Sequence, residues 1–192
     1  IIVVTIRKLW PQINKHKENF LIGIKRGMPI LVIAIIMLLV NGGEIIVNGH
    51  LDIPNFISLV LVSIAIGIAE EFIFRGWLQN EIMNKYGSTP KGAMITILVS
   101  GLLFGLFHLI NALSGQDILT TIAQVIQTSA IGILFCSAYY VSKNIWSLVF
   151  LHSFYDFSVL LGEVNSYKDC INNPDVSLIA NIITLVISLL FA

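Results

Sequence analysis

Residues 54–78 read PNFISLVLVSIAIGIAEEFIFRGWL, and this stretch decides the fold. Its first sixteen residues carry no charge, and then Glu70, Glu71 and Arg75 arrive inside the same apolar run. About 20 apolar residues is the length that crosses a bilayer core of roughly 30 Å as a helix. An ionisable side chain at mid-membrane costs roughly 2.5–3.5 kcal/mol even on the generous insertion scale. Three such groups on one span demand partners inside the protein.

Outward from this stretch the texture repeats. Of the 192 residues, 56% are hydrophobic and 11% charged, where a soluble domain carries about 25% charged residues. Backbone groups in lipid must be satisfied internally, so each apolar run is expected to be a helix. The alternating pattern of a membrane barrel is absent. The expected class is all-α, a polytopic transmembrane bundle of about six helices with an intramembrane polar site. The expected spans are residues 27–40, 54–78, 92–113, 118–141, 145–161 and 176–192. Asn41-Gly42-Gly43 is expected to end the first, and Pro54 to open the second. Gly87-Ser88-Thr89-Pro90 separates the second from the third, and Asn172-Asn173-Pro174-Asp175 precedes the sixth.

The loops give an orientation. Arg7, Lys8, Lys15, Lys17, Lys25 and Arg26 precede the first span, Lys85 and Lys91 follow the second, and Lys143 follows the fourth. The other loops hold Glu44, Asp52, Asp117, Glu163, Asp169 and Asp175, with Lys168 as the lone base. Basic loops stay cytoplasmic. The expectation is a multi-pass cell-membrane protein with residues 1–26 as a cytoplasmic basic arm and 27–192 as the membrane domain. The opening Ile1-Ile2-Val3-Val4, with no initiator Met, reads as the end of a missing upstream helix. Trp10, Ile13 and Phe20 among the bases suit an arm lying along an anionic membrane surface or one serving as a topology signal alone. The lipid bilayer is thus the first partner. Zero net charge and no basic stripe within a span argue against nucleic acid. Cys136 and Cys170 are too few for a disulfide framework and fall at opposite faces, so no bond between them is expected.

The ionisable groups within spans are Glu70, Glu71 and Arg75 on the second, His108 on the third, and His152 and Asp156 on the fifth. The economical arrangement is one shared pocket. Glu71 and Arg75, four apart, face each other and neutralise one another. His152 and Asp156 are also four apart, so Asp156 either orients the imidazole or points into the same pocket. Glu70 lies about 100° around the helix from Glu71 and has no local partner. An unpaired carboxyl in a dry pocket suits proton transfer. Gly101 and Gly105 form a small-xxx-small pair that lets the third span approach a neighbour closely. Phe104 lies on the His108 face and reads as packing. By these spans Glu70 falls past mid-helix toward the cytoplasm and His108 toward the outside. Joining them requires tilt, a longer second span or an inward cavity.

Three motifs stand in order on these spans: Glu70-Glu71-Phe72-Ile73-Phe74-Arg75, Phe104-Gly105-Leu106-Phe107-His108 and His152-Ser153-Phe154-Tyr155-Asp156. Together they resemble the CPBP (Abi) family of intramembrane proteases, which includes type II CAAX prenyl proteases and bacteriocin-processing or immunity proteins. The resemblance covers residues 66–157. It implies an intramembrane peptidase acting on a membrane-associated protein or peptide precursor. Glu70 would be the general base sharing a water with His108, and His152 and Asp156 would complete the pocket. Glu71, Arg75 and Phe104 would be structural support. It further implies either a metal-independent mechanism or a divalent metal such as Zn2+ held by Glu70, His108 and His152. Asp156 departs from the Asn of the prenyl-protease branch, because an ionised Asp cannot donate to an oxyanion. That favours a peptide substrate over a prenylated protein. The competing readings are a bacteriocin-immunity or scaffold protein that keeps the motifs for stability and, behind it, a proton-coupled transporter, whose paired repeats and broken helices are not evident.

Overall fold

Side-chain caps set where four of the five long helices begin. Asp52 Oδ1 accepts from the Asn55 amide at 3.0 Å. Thr89 Oγ1 does the same for Gly92 at 3.1 Å, Asp117 Oδ2 for Thr120 at 2.9 Å, and Asn144 Oδ1 for Ser147 at 2.9 Å. Each engages an orphan first-turn donor. Pro54 and Pro90 occupy first-turn positions, where a missing N–H costs nothing. The computed structural model describes residues 16–165. After a short 3-10 turn (Lys17–Asn19) come α1 (Phe20–Arg26), α2 (Met28–Asn48) and α3 (Ile53–Tyr86). Then follow α4 (Pro90–Phe107), α5 (Ile110–Leu113), α6 (Ile118–Ser142) and α7 (Ile145–Leu160), which ends in the turn Leu161–Glu163. The described residues contain no strand, and five of their helices are long and apolar enough to cross a membrane. The expected sixth span, Cys170, the loop charges Lys168, Asp169 and Asp175, and the arm as far as Lys15 lie outside the described residues.

The first span corrects the expectation. Asn41-Gly42-Gly43 does not end it; α2 runs on to Asn48 and stops at Gly49, whose φ of 67° is the left-handed cap that glycine accepts. Asn41 serves a tertiary contact instead, donating from Nδ2 to the carbonyls of Ser158 (2.7 Å) and Val159 (3.1 Å) on α7. The second span is longer than expected, continuing without a break to Tyr86 through a π-helical segment, Phe72–Gln79. Glu70 is thus the eighteenth of 34 residues, the middle of the helix. That length supplies the longer second span needed to bring Glu70 level with His108.

Two helix pairs form the bundle. α4 lies against α6 where glycines remove the side chains between them. A Cβ on Gly105 would come within 2.7 Å of the Ser129 amide and the Val125 carbonyl, and one on Gly132 within 2.7 Å of the Gly101 carbonyl. α3 lies against α7, with Gly67 facing Ser153 and the Val149 carbonyl, and α2 covers α7. Ile30, Ile33, Phe135, Ile145, Leu148 and Leu151 fill the core. Leu39, Val47, Leu61 and Leu113 stand exposed, as lipid-facing side chains do.

The two ends of the bundle differ in charge. At one end Asn19 Nδ2 donates to the Ser142 carbonyl at 2.9 Å, and Asn144 Nδ2 to that of His16 at 2.7 Å. The described end of the arm is therefore docked on the α6–α7 corner. Lys25, Arg26, Lys85, Lys91 and Lys143 belong to this end. At the other, the Asp52 amide donates to Asn165 Oδ1 at 3.0 Å, and Glu44, Asp117 and Glu163 lie at the helix ends there.

Candidate active site

Glu71 is the hub of the buried side. It and Arg75 are both 0% exposed. Arg75 Nη1 donates to Glu71 Oε1 at 2.7 Å, and Nη2 to the Gly132 carbonyl on α6 at 3.3 Å. The guanidinium also lies 4.2 Å from the centroid of the Phe104 ring and 5.3 Å from that of Phe135. His152 Nδ1 sits 2.7 Å from the same Glu71 oxygen. A carboxylate paired with arginine has no proton to offer, so the imidazole Nδ1–H donates, and this fixes the ring with Nε2 away from Glu71. One carboxylate thereby ties α3, α6 and α7 together. Glu71, not Asp156, makes the orienting bond to His152. The four-residue spacing within α7 was visible in the sequence; the contact between residues 71 and 152 was not.

The other side of the site faces a cavity of about 320 Å³. Glu70, His108, His152 and Asp156 all line it, above a floor of Phe104 and Phe135. Asp156 thus takes the second role open to it, pointing into the shared pocket, with Oδ2 3.5 Å from His152 Nε2. Glu70 Oε2 lies 3.7 Å from the same nitrogen and has no hydrogen-bond partner. His108 caps the C-terminus of α4. Its Nδ1 is 3.0 Å from the Phe104 carbonyl. A carbonyl only accepts, so Nδ1–H donates there and Nε2 keeps its lone pair. Phe104 is 2% exposed and stacks edge-on with both histidines, with ring centroids 5.2 Å from His108 and 5.9 Å from His152. Asn111, Gln124, Gln127, Thr128 and Tyr155 also line the cavity, and sequence reasoning passed over them. Their signal was present: two carboxamides three residues apart inside an apolar span.

The histidine tautomers suit a metal. Each imidazole has its Nδ1–H engaged by an oxygen, leaving Nε2 as the ligand atom. The spacing does not suit one. Among the described residues, no three His, Cys, Asp or Glu side chains converge closely enough to hold an ion.

The family described as type II CAAX prenyl endopeptidase Rce1-like matches residues 52–158, more than half the chain and all three motifs. No curated protein and no solved structure matches the chain. Five apolar helices long enough to cross a membrane and a family of membrane proteases point the same way, to a multi-pass membrane protein with a coarse assignment as a peptidase. The chain belongs to the type II CAAX prenyl endopeptidase Rce1-like family.

Proposed function

We propose that the protein is an intramembrane endopeptidase that cleaves a membrane-associated protein or peptide precursor with a water activated by Glu70 and His108. The observation that carries this reading is the Glu70 carboxyl lining one cavity with two histidines from two other helices. A water between Glu70 and His108 Nε2 loses a proton to Glu70 as its oxygen attacks the scissile carbonyl carbon. The C=O electron pair moves onto the oxygen. Glu70 returns the proton to the leaving nitrogen as the C–N bond breaks. His152, held by Glu71, is the group placed to meet the oxyanion through Nε2 when that atom carries a proton. Asp156, close to Nε2, supports that protonated form.

The test compares peptides released from cells carrying the intact protein or Glu70→Gln at matched membrane abundance. A defined peptide that disappears in the variant supports the reading; identical profiles overturn it. Offering the purified protein one peptide sequence with and without a prenyl group on cysteine separates the two substrate classes. A preference for the unprenylated form is expected from Asp156. A divalent metal held by Glu70, His108 and His152, which the resemblance also implies, would require these side chains to draw closer together than they stand here. It predicts stoichiometric metal in the purified protein and activity lost to a chelator and restored by Zn2+.

One observation favours the non-catalytic reading. Glu71, Arg75 and His152 brace three helices whether or not chemistry occurs, so an immunity or scaffold protein would keep them. Such a protein tolerates Glu70→Gln without loss of phenotype.

From the charge difference between the ends we propose that the arm is cytoplasmic and that the cavity end, near the α5–α6 loop, lies outside. In a Cys136→Ala, Cys170→Ser background, Ser114→Cys should react with a membrane-impermeant maleimide in intact cells. Ser88→Cys should react only after permeabilisation. The reverse pattern overturns this orientation.

A further inference from the structure

Resting on the peptidase reading, we infer that Gln127 anchors the substrate, its side-chain carbonyl accepting a backbone N–H of a peptide lying across Glu70. Gln127 is on α6, 4% exposed, and lines the cavity that Glu70 and His108 share. Its Nε2 donates to the Tyr155 hydroxyl on α7 at 2.6 Å, so the amide is held from one side. Its Oε1 has no hydrogen-bond partner. Buried carbonyl oxygens are almost always paired, and this one, on a residue that lines the cavity, lacks a donor.

The neighbouring polar groups are not that donor. Asn111 Nδ2 donates to Gln124 Oε1 at 2.9 Å, and the Thr128 hydroxyl to the Gln124 carbonyl at 2.7 Å. A peptide brings an N–H at nearly every residue whatever its side chains. Such an anchor fixes the register of the backbone against Glu70 without reading sequence. Sequence would be read one and two turns further along α6, where Ile131 and Phe135 line the same cavity and offer an apolar seat. The substrate class this fits is an extended segment with an apolar residue near the cut.

The test is an N-methyl scan. The probe is a dye-labelled, S-farnesylated peptide ending in Cys-aliphatic-aliphatic-X, alongside its unprenylated form, with the amides near the cut methylated one at a time. In the intact protein, methylating one amide should lower kcat/KM by about threefold to tenfold, the size of one neutral hydrogen bond. Gln127→Leu should lower it similarly on the parent peptide, mainly through KM, and should lose nothing more from that methyl group. A merely structural Gln127 leaves the methyl effect in place, and that result overturns the anchor. So does an intact protein indifferent to methylation at every position, which needs no variant. Gln127→Met repeats the test with a side chain of similar length. Measuring binding of the same peptides to Glu70→Gln protein separates the two claims. A methyl effect on affinity that vanishes with Gln127→Leu supports the anchor even if the intact protein cleaves nothing, and that second finding sinks only the peptidase reading.

Discussion

On one side of α3, Glu71 is fully buried and shares a single oxygen between Arg75 and His152; on the other, Glu70 lines a cavity, with its Oε2 3.7 Å from His152 Nε2. The two residues are adjacent and chemically identical. Their difference comes from the direction each takes around the helix, one into a packed seam of three helices and one into open space. The seam holds the site in shape, and the cavity leaves a carboxylate available for chemistry. This division predicts that the pair fail differently when altered. Glu70→Gln should lower peptidase activity by at least about a hundredfold, the lower end of what a general base contributes. Its thermal unfolding should match that of the intact protein. Equal loss of activity and stability would erase the distinction.

Arg75→Met attacks the seam. It leaves the Glu71 carboxylate buried with no cation, and breaking a buried pair costs about 3–5 kcal/mol. The protein should accumulate poorly and unfold at lower temperature. Glu71→Leu combined with Arg75→Met should recover much of that stability, because no lone charge remains. It should not recover activity, because His152 has lost the acceptor that orients it. A double variant no more stable than Arg75→Met would show that the seam is not an electrostatic unit.

The comparison also explains what the sequence made legible. Ionisable residues in apolar spans are costly wherever they stand, so Glu70, Glu71, Arg75, His108, His152 and Asp156 announced one pocket before any coordinates. The structure places Glu70, His108, His152 and Asp156 on that pocket, with Glu71 and Arg75 behind it. The bond from His152 to Glu71 was hidden because it joins residues 81 apart in sequence, and no spacing rule reaches that far. The first span, α2, reads as ending early because Asn-Gly-Gly is a strong local stop signal. Tertiary bonds from Asn41 to α7 outweigh that signal. Gln127 was passed over because a neutral amide in a membrane span carries less energetic alarm than a charge.

Glycines divide along the same line between packed seam and open space. At Gly105 a methyl group would press on the backbone of α6, within 2.7 Å of the Ser129 amide. Gly105→Ala should therefore cost about 1–3 kcal/mol through forced separation of the helices. It should also lower activity, since His108 follows on the same helix. At Gly43, inside α2, nothing lies within 4 Å of the added methyl. Gly43→Ala should be neutral or stabilise by up to about 1 kcal/mol through helix propensity. Thermal unfolding of the two variants decides whether α4 and α6 are held at contact or have slack between them.

The smallest expected effect lies outside the membrane spans, at Asp117. The Thr120 backbone N–H, donating to its carboxylate at 2.9 Å, holds Asp117 below the usual carboxylate range. A group whose folded value is lowered adds stability above its unfolded value of about 3.9, and that contribution disappears as pH falls through the folded value. Asp117→Asn keeps a capping oxygen but does not titrate. As pH is lowered from neutral to below 4, the intact protein should lose slightly more thermal stability than the variant. Its exposure on the loop, with solvent screening the charge, keeps the effect small. If the two melting curves fall in parallel, the Asp117 cap contributes nothing to the acid sensitivity of the protein.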